Sequence, residues 1–337
     1  LLNLVVGDVH CTPDELEDCE ALLVAVRQYA ADCELVTFLG DQFHTHDVVN
    51  VRCIDFWHEH LKVLACGGRK VVLMRGNHDQ VTPTQGYPHS LIPFAAMPGV
   101  FVADGLNEPI PVEGVGFLPY YYNQSDFLKA YSETAKRCHT IFCHQTFQGA
   151  YYENAFYAKD GIALALMAER TVISGHIHSP QQVGYVQYVG APRWRTRSDA
   201  NQERFINLFG HSATGSEIVK SISTAEYCKK IHQFDDTPEN PLTRTRLDSV
   251  VRPHHKVLVD VYGPTRGWVR DREQECKGWS SSMVTRGFPT RERSPEVSES
   301  EGIEKSFAKF EAKFLPPNGT DKAVISQMVR DRMSKHE

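Results

Sequence analysis

Five short apolar runs in this 337-residue chain each stop at residues that can bind a metal ion or move a proton. "LNLVV" ends at Gly7-Asp8-Val9-His10, "LVTFL" at Gly40-Asp41 and "KVVLMR" at Gly76-Asn77-His78-Asp79. "TIFC" ends at His144, and "TVIS" at Gly175-His176-Ile177-His178. Asp8, His10, Asp41, Asn77, His78, His144, His176 and His178 make a mixed oxygen and nitrogen donor set without thiolate. Carboxylate and amide oxygens combined with imidazole suit Mn²⁺, Fe²⁺ or Zn²⁺ in five- or six-coordinate sites better than a tetrahedral structural zinc. So many donors exceed what one cation takes and suit two, provided one carboxylate bridges.

Chemistry of this kind needs the five ends to converge. Short apolar runs alternating with longer amphipathic stretches predict a layered α/β domain. In such folds sites form outside the carboxyl ends of strands, where glycine lets the backbone turn so that the next side chain enters the crevice. The first helix is predicted to start after Thr12, with Pro13 at its first position and Glu15 completing a capping box. Leu16, Cys19, Leu22, Leu23 and Val26 then recur at helical spacing. The texture changes near residue 240, so 1–240 reads as the site-bearing domain and 241–282 as a small capping unit containing the strand "KVLVDVYG". Residues 283–302 have linker composition, rich in Ser, Pro, Arg and Glu. In 303–337 a helix-loop-helix is predicted, with Ile303, Phe307, Phe310 and Phe314 on one face.

Composition limits the function classes. An apolar content of 41% supports a sizeable core, and 36 Lys and Arg against 42 Asp and Glu give no global electrostatic case for nucleic acid or an anionic membrane. Any basic surface must be local. Residues 251–295 hold nine Lys or Arg against five Asp or Glu, with Arg266, Arg270 and Arg272 around Trp268, and "RWRTR" places Arg193, Arg195 and Arg197 close after the last histidines. Both are candidate DNA contacts. Nine cysteines without a C-x-x-C pair suit a reducing compartment. The apolar runs fall far short of a membrane span, and "LLNLVVGD" lacks the basic region of a signal peptide, so a cytoplasmic protein without membrane contact is expected.

Taken in order, D-V-H, G-D-Q-F-H, G-N-H-D, the lone His144 and G-H-I-H resemble the motif series of the calcineurin-like metallophosphoesterases, over roughly residues 1 to 210. The resemblance implies a four-layer αββα sandwich with a small C-terminal capping domain and a helical tail. It also implies two divalent metal ions, Mn²⁺ foremost, with Mg²⁺, Fe²⁺ or Zn²⁺ as alternatives. Carried over residue by residue, Asp8, His10, Asp41 and His178 would hold one ion, and Asp41, Asn77, His144 and His176 the other, with Asp41 as the bridge. A metal-bridging hydroxide would attack the phosphodiester. His78 is left beside the substrate to assist the leaving oxygen, with Asp79 orienting its imidazole. His44 is expected behind the ligands rather than on an ion.

Branch markers narrow the substrate. Protein phosphatases of this superfamily carry an arginine shortly after the second motif and end the third in Glu, and this chain does neither. G-D-Q-F-H, followed by "VGAPR" after G-H-I-H, is similar to the DNA repair nuclease subunit of the bacterial SbcCD complex and its archaeal, eukaryotic and phage relatives. Gln42 and Pro192 depart from that branch's usual pattern. The resemblance implies DNA exonuclease or endonuclease activity in repair or recombination, a homodimer, and an SMC-like ABC ATPase partner gripped by Ile303, Phe307, Phe310 and Phe314. The alternative is a stand-alone metallophosphatase or phosphodiesterase acting on nucleotides or small esters. A non-catalytic scaffold on this fold typically loses ligands, and here none is lost.

Overall fold

The five apolar runs fold as parallel strands because their side chains are apolar toward both faces and both faces are covered. The computed structural model describes residues 1–106, 112–152, 156–280 and 282–289. One sheet orders β1 (Leu2–Val6), β2 (Leu35–Phe38), β3 (Lys70–Met74) and β4 (Val100–Ala103) as parallel neighbours. A second sheet contains β5 (Val115–Leu118), β6 (Thr140–Cys143) and β7 (Thr171–Ser174), also parallel, and ends in two short strands between Gln181 and Tyr188. Strand β8 (Phe205–Ser212) returns antiparallel along β1, and β9 (Gly215–Ser223) pairs antiparallel with β8 at the edge of the first sheet.

Side-chain alternation assigns the layers. Leu4, Val6, Val36, Phe38, Val71 and Leu73 pack with Leu22, Leu23, Val26, Trp57 and Leu61 from helices α1 (Leu16–Ala30) and α2 (Val51–Leu64). Their neighbours Val5, Leu35, Val72 and Met74 face the other way and meet Phe142 and Ile173 between the sheets. Ile141 and Val172 turn outward onto Phe127 and Tyr131 of α3 (Gln124–Ala135). The result is the α/β sandwich of helix, sheet, sheet and helix.

Two local expectations are corrected. Helix α1 begins at Leu16, later than the predicted Pro13, because Thr12 to Glu15 form a turn and the Glu15 carboxylate binds Arg193 and Arg195 instead of capping backbone N–H groups. The C-terminal unit also starts earlier and ends later than 241–282. Its parallel sheet runs from β10 (Ile231–Asp236) through β11 (Lys256–Gly263) to β12 (Met283–Pro289), with α4 (Arg266–Lys277) packed on it. Leu242, Leu247, Val257, Val259, Val261, Val269 and Cys276 form its core. Strand β12 lies where the linker was expected to begin, since an edge strand tolerates the Arg, Gly and Pro that made its composition look loop-like. Ile231 and Leu258 join the core around α1, which seats the unit on the sandwich. Ile303, Phe307, Phe310 and Phe314 lie outside the described residues. Among the described residues no helix is long and apolar enough to cross a membrane.

Candidate metal centre

The carboxyl ends of β1, β2, β3, β6 and β7 meet on one edge of the sandwich. Beyond the strands, the first two loops stay zipped, with His10 N–H donating to Asp41 O and Cys11 N–H to Gln42 O, both at 2.8 Å. His10, Asp41 and His176 have φ of 50°, 52° and 75°. Such left-handed backbone costs about 1–3 kcal/mol per non-glycine residue and concentrates at functional sites. Glycine permits the crowding. A Cβ at Gly76 would overlap the Asp41 carboxylate, and one at Gly175 would sit 2.7 Å from Asp8 Oδ1 and 2.9 Å from His144 Nδ1.

Among the described residues, three groups of ligand atoms lie within 4.8 Å of one another: Asp8 with His10 and His178, Asp41 with His144 and His176, and His10 with His44 and His78, of which only the first two hold a carboxylate. In the first, Asp8, His10 and His178 converge, with His10 Nε2 3.0 Å from His178 Nε2 and Asp8 Oδ2 3.7 Å from His178 Nε2. The second joins Asp41, His144 and His176, and Asn77 Oδ1 lies 3.1 Å from His144 Nε2 and 2.8 Å from His176 Nδ1. Asp41 Oδ2 faces both groups, 3.7 Å from His10 Nε2 and 3.4 Å from His144 Nε2. The Leu39 carbonyl, 2.7 Å from His144 Nδ1, can only accept, so that nitrogen carries hydrogen and Nε2 is the atom left to face the other donors.

Electrostatics fit this set to divalent cations. Burial drives the imidazoles of His10, His176 and His178 toward the neutral, ligating form, His176 down to about 3 and His178 to about 4. Burial opposes charge on Asp41, yet His144, His10 and His78 hold its carboxyl well below the usual range. Burial also opposes charge on His144, and Asp41 with Asp8 overrides it, lifting the imidazole to about 9. Burial raises Asp8 to about 7. Without cations, the His144 proton therefore stands in for positive charge. Cation loading near neutral pH is expected to release about one proton or more per chain, read by calorimetry in buffers of different ionisation enthalpy. Because the competing proton leaves His144 only near pH 9, affinity rises with pH across the neutral range; pH-independent loading would contradict this assignment.

His78 stands beside the two groups that hold a carboxylate. Its backbone N–H donates to Asp41 Oδ1 at 2.8 Å, and its Nδ1 lies 2.7 Å from the His44 carbonyl, which leaves Nε2 free. The rings of His44 and His46 stack on it at 5.4 Å and 4.7 Å. Asp79 does not orient this imidazole. Fully buried, it accepts from Phe43 N–H at 3.1 Å and Gly76 N–H at 2.9 Å, and so ties together the loops after β2 and β3. His44 Nδ1 lies 3.5 Å from His10 Nδ1, on the side of that ring away from His178. Gln42 Nε2 donates to the Met74 carbonyl at the end of β3. Tyr120, for which the sequence alone suggested no role, brings its ring centroid to 5.7 Å from that of His176.

The arginines are mostly committed inside the protein. Arg193 is buried, with Nε donating to Val9 O at 2.8 Å and Nη2 to His10 O at 2.8 Å and Glu15 at 2.9 Å. It braces the His10 loop and cannot also serve phosphate. Arg195 shares Glu15 and places Nη1 3.2 Å from His44 Nδ1. Arg197 pairs with Asp260, and Arg272 with Asp236 and Glu275, whereas Arg266 and Arg270 are exposed. Arg193→Ala is expected to cost about 3 kcal/mol in urea unfolding, because the carbonyls of Val9 and His10 lose their buried donor and Glu15 keeps only Arg195. Arg270→Ala should change stability by no more than about 0.5 kcal/mol; equal small effects would mean that the Arg193 brace is dispensable.

The family model described as calcineurin-like phosphoesterase matches residues 3–180. Among solved structures, Vps29 from Entamoeba histolytica, crystallised as a single mutant, is 13% identical with TM-score 0.31, covering 66% of this chain and 99% of that one. A hypothetical protein from Thermus thermophilus is 12% identical with TM-score 0.39, covering 66% and 98%. Both overlaps are loose. No curated protein matches significantly. The segment matched by the family model is more than half of the chain and holds all five strand ends, from Asp8 to His178. The chain belongs to the calcineurin-like phosphoesterase family.

Proposed function

We propose that this chain is a two-metal phosphodiesterase that cleaves DNA, in the manner of the SbcCD-type nuclease subunits. The observation that carries the phosphodiesterase reading is the meeting of two donor groups at Asp41 Oδ2 with His78 beside them. Asp8, His10 and His178 would hold one cation, Asn77, His144 and His176 the other, and Asp41 both. Mn²⁺ or a similar divalent ion would supply Lewis-acid polarisation of the phosphoryl group and an acidified water. His78 performs the remaining proton work: Nδ1 is fixed by the His44 carbonyl, so Nε2 is free to hold a proton next to the leaving oxygen. Arg195 and His44 back the His10 ring and keep it in place.

DNA as substrate is supported by the G-D-Q-F-H and "VGAPR" segments and by Arg266 and Arg270, exposed on α4 of the C-terminal unit. Within this reading the chain works as a homodimer with an SMC-like ABC ATPase, held by Ile303, Phe307, Phe310 and Phe314. Nine free cysteines accord with a cytoplasmic setting. One observation favours a second reading, a stand-alone phosphodiesterase for nucleotides or small esters: Arg193, Arg197 and Arg272 spend their donors on internal partners rather than on a DNA path. Mn²⁺-dependent digestion of labelled linear DNA, compared with bis-p-nitrophenyl phosphate and a cyclic nucleotide, separates the two. Cleavage of DNA that Asp41→Ala abolishes supports the first, and turnover of the small esters alone supports the second.

A further inference from the structure

Two short antiparallel strands, Tyr151–Tyr152 and Phe156–Tyr157, carry exposed aromatic residues. Tyr151 pairs with Tyr157 and Tyr152 with Phe156 in antiparallel register, so Tyr151 and Tyr157 share one face and Tyr152 and Phe156 the other. All four are exposed, Phe156 by 69% and Tyr157 by 66%. Aromatic rings facing water in so short a segment cover no core and mark a recognition surface.

Hydrogen bonds tie this hairpin to the loops that carry two of the converging histidines. Tyr152 Oη lies 3.2 Å from Oγ1 of Thr146, just beyond His144. Tyr151 N–H donates to Gln181 Oε1 at 2.7 Å, and Gln181 Nε2 donates back to Tyr151 O at 2.7 Å, close after His178. Tyr120 extends the aromatic surface to the centre, its ring 5.7 Å from His176 and 6.2 Å from His144. Arg75 braces it, its carbonyl accepting from Tyr120 N–H at 2.9 Å and its Nη2 donating to Tyr120 O at 3.0 Å.

Resting on the phosphodiesterase reading above, we propose that Tyr120, Tyr152 and Phe156 stack the nucleobases flanking the scissile phosphate, so that the substrate is a strand with unpaired bases at the centre. Every base offers a π-face, which makes such stacking strong and tolerant of sequence, while pairing in a duplex hides those faces. A protein partner would be met by a mixture of aromatic and aliphatic side chains. The described residues of the two strands are Tyr and Phe alone, and they are hydrogen-bonded to the loops that follow His144 and His178.

The test compares two strands of equal charge. The full chain in EDTA, which prevents cleavage, is titrated by fluorescence anisotropy with oligothymidylate of about 12 nucleotides and with an abasic strand of the same length. Thymidylate is expected to bind about tenfold tighter or more, Phe156→Ala and Tyr152→Ala to narrow the gap to about twofold, and Phe156→Trp to preserve it. Equal affinity of the wild type for both strands overturns the proposal, as does a gap that survives both alanine variants. A gap that survives while those variants change the oligomeric state overturns it too, and assigns the aromatic face to a protein contact. Hydrolysis of bis-p-nitrophenyl phosphate by the Mn²⁺-loaded wild type is measured in parallel. Its absence would reject the phosphodiesterase reading, whereas the affinity gap alone decides the stacking role.

Discussion

Asp41→Ala is expected to lower phosphodiester hydrolysis by on the order of 10³-fold or more and to deplete metal from both donor groups at once. Asp41 Oδ2 alone is 3.7 Å from His10 Nε2 and 3.4 Å from His144 Nε2, whereas Asp8 reaches His178 and His144 through different oxygens, at 3.7 Å and 3.9 Å, the second at the nitrogen that His144 turns to the Leu39 carbonyl. Its other oxygen accepts from His78 N–H, so the substitution also frees the loop that carries the His78 imidazole. Removing the charge from this site withdraws the main attraction that keeps the His144 proton in place, so His144 should titrate lower in the variant. Metal content by elemental analysis, with hydrolysis of bis-p-nitrophenyl phosphate on the same sample, reads both effects. Loss of activity with full metal content would remove Asp41 from its shared position.

His78→Ala is expected to separate the two properties. Turnover should fall by about 10²–10⁴-fold, the range that general acid–base groups contribute, while metal content stays at the wild-type level. The separation follows from geometry. The His78 ring lies edge-on to His10 at 4.9 Å and parallel to the rings of His44 and His46, with Nδ1 directed to a carbonyl, and the group it shares with His10 and His44 holds no carboxylate. The loss should be largest on substrates with poorly acidic leaving alcohols and smallest on nitrophenyl esters, whose leaving group needs no proton. A uniform loss across leaving groups would argue for a binding rather than a proton-transfer role.

The parts of this structure visible in the sequence are those where a local pattern is sufficient. "LNLVV", "TIFC", "TVIS" and "KVLVDVYG" coincide with strands Leu2–Val6, Thr140–Cys143, Thr171–Ser174 and Lys256–Gly263, because strands buried on both faces read as unbroken apolar runs. The converging residues followed from what stands at the end of each run. What stayed hidden depends on partners distant in the chain. Arg193 looked like a free cation in a basic loop, yet Glu15, 178 positions earlier, takes its charge and buries it. Asp79 seemed placed to orient His78 by adjacency alone, but neighbouring side chains in a turn diverge, and its carboxylate goes to the N–H groups of Phe43 and Gly76. The left-handed backbone of His10, Asp41 and His176 has no mark in the sequence, since none of the three is a glycine.

The central claim is that one carboxylate joins two cation sites built from five strand ends. Anomalous diffraction from crystals soaked in Mn²⁺ tests it directly. The account predicts two peaks per chain, one among Asp8, His10 and His178 and one among Asn77, His144 and His176, both in contact with Asp41. A single peak, or two peaks that do not share Asp41, would contradict it.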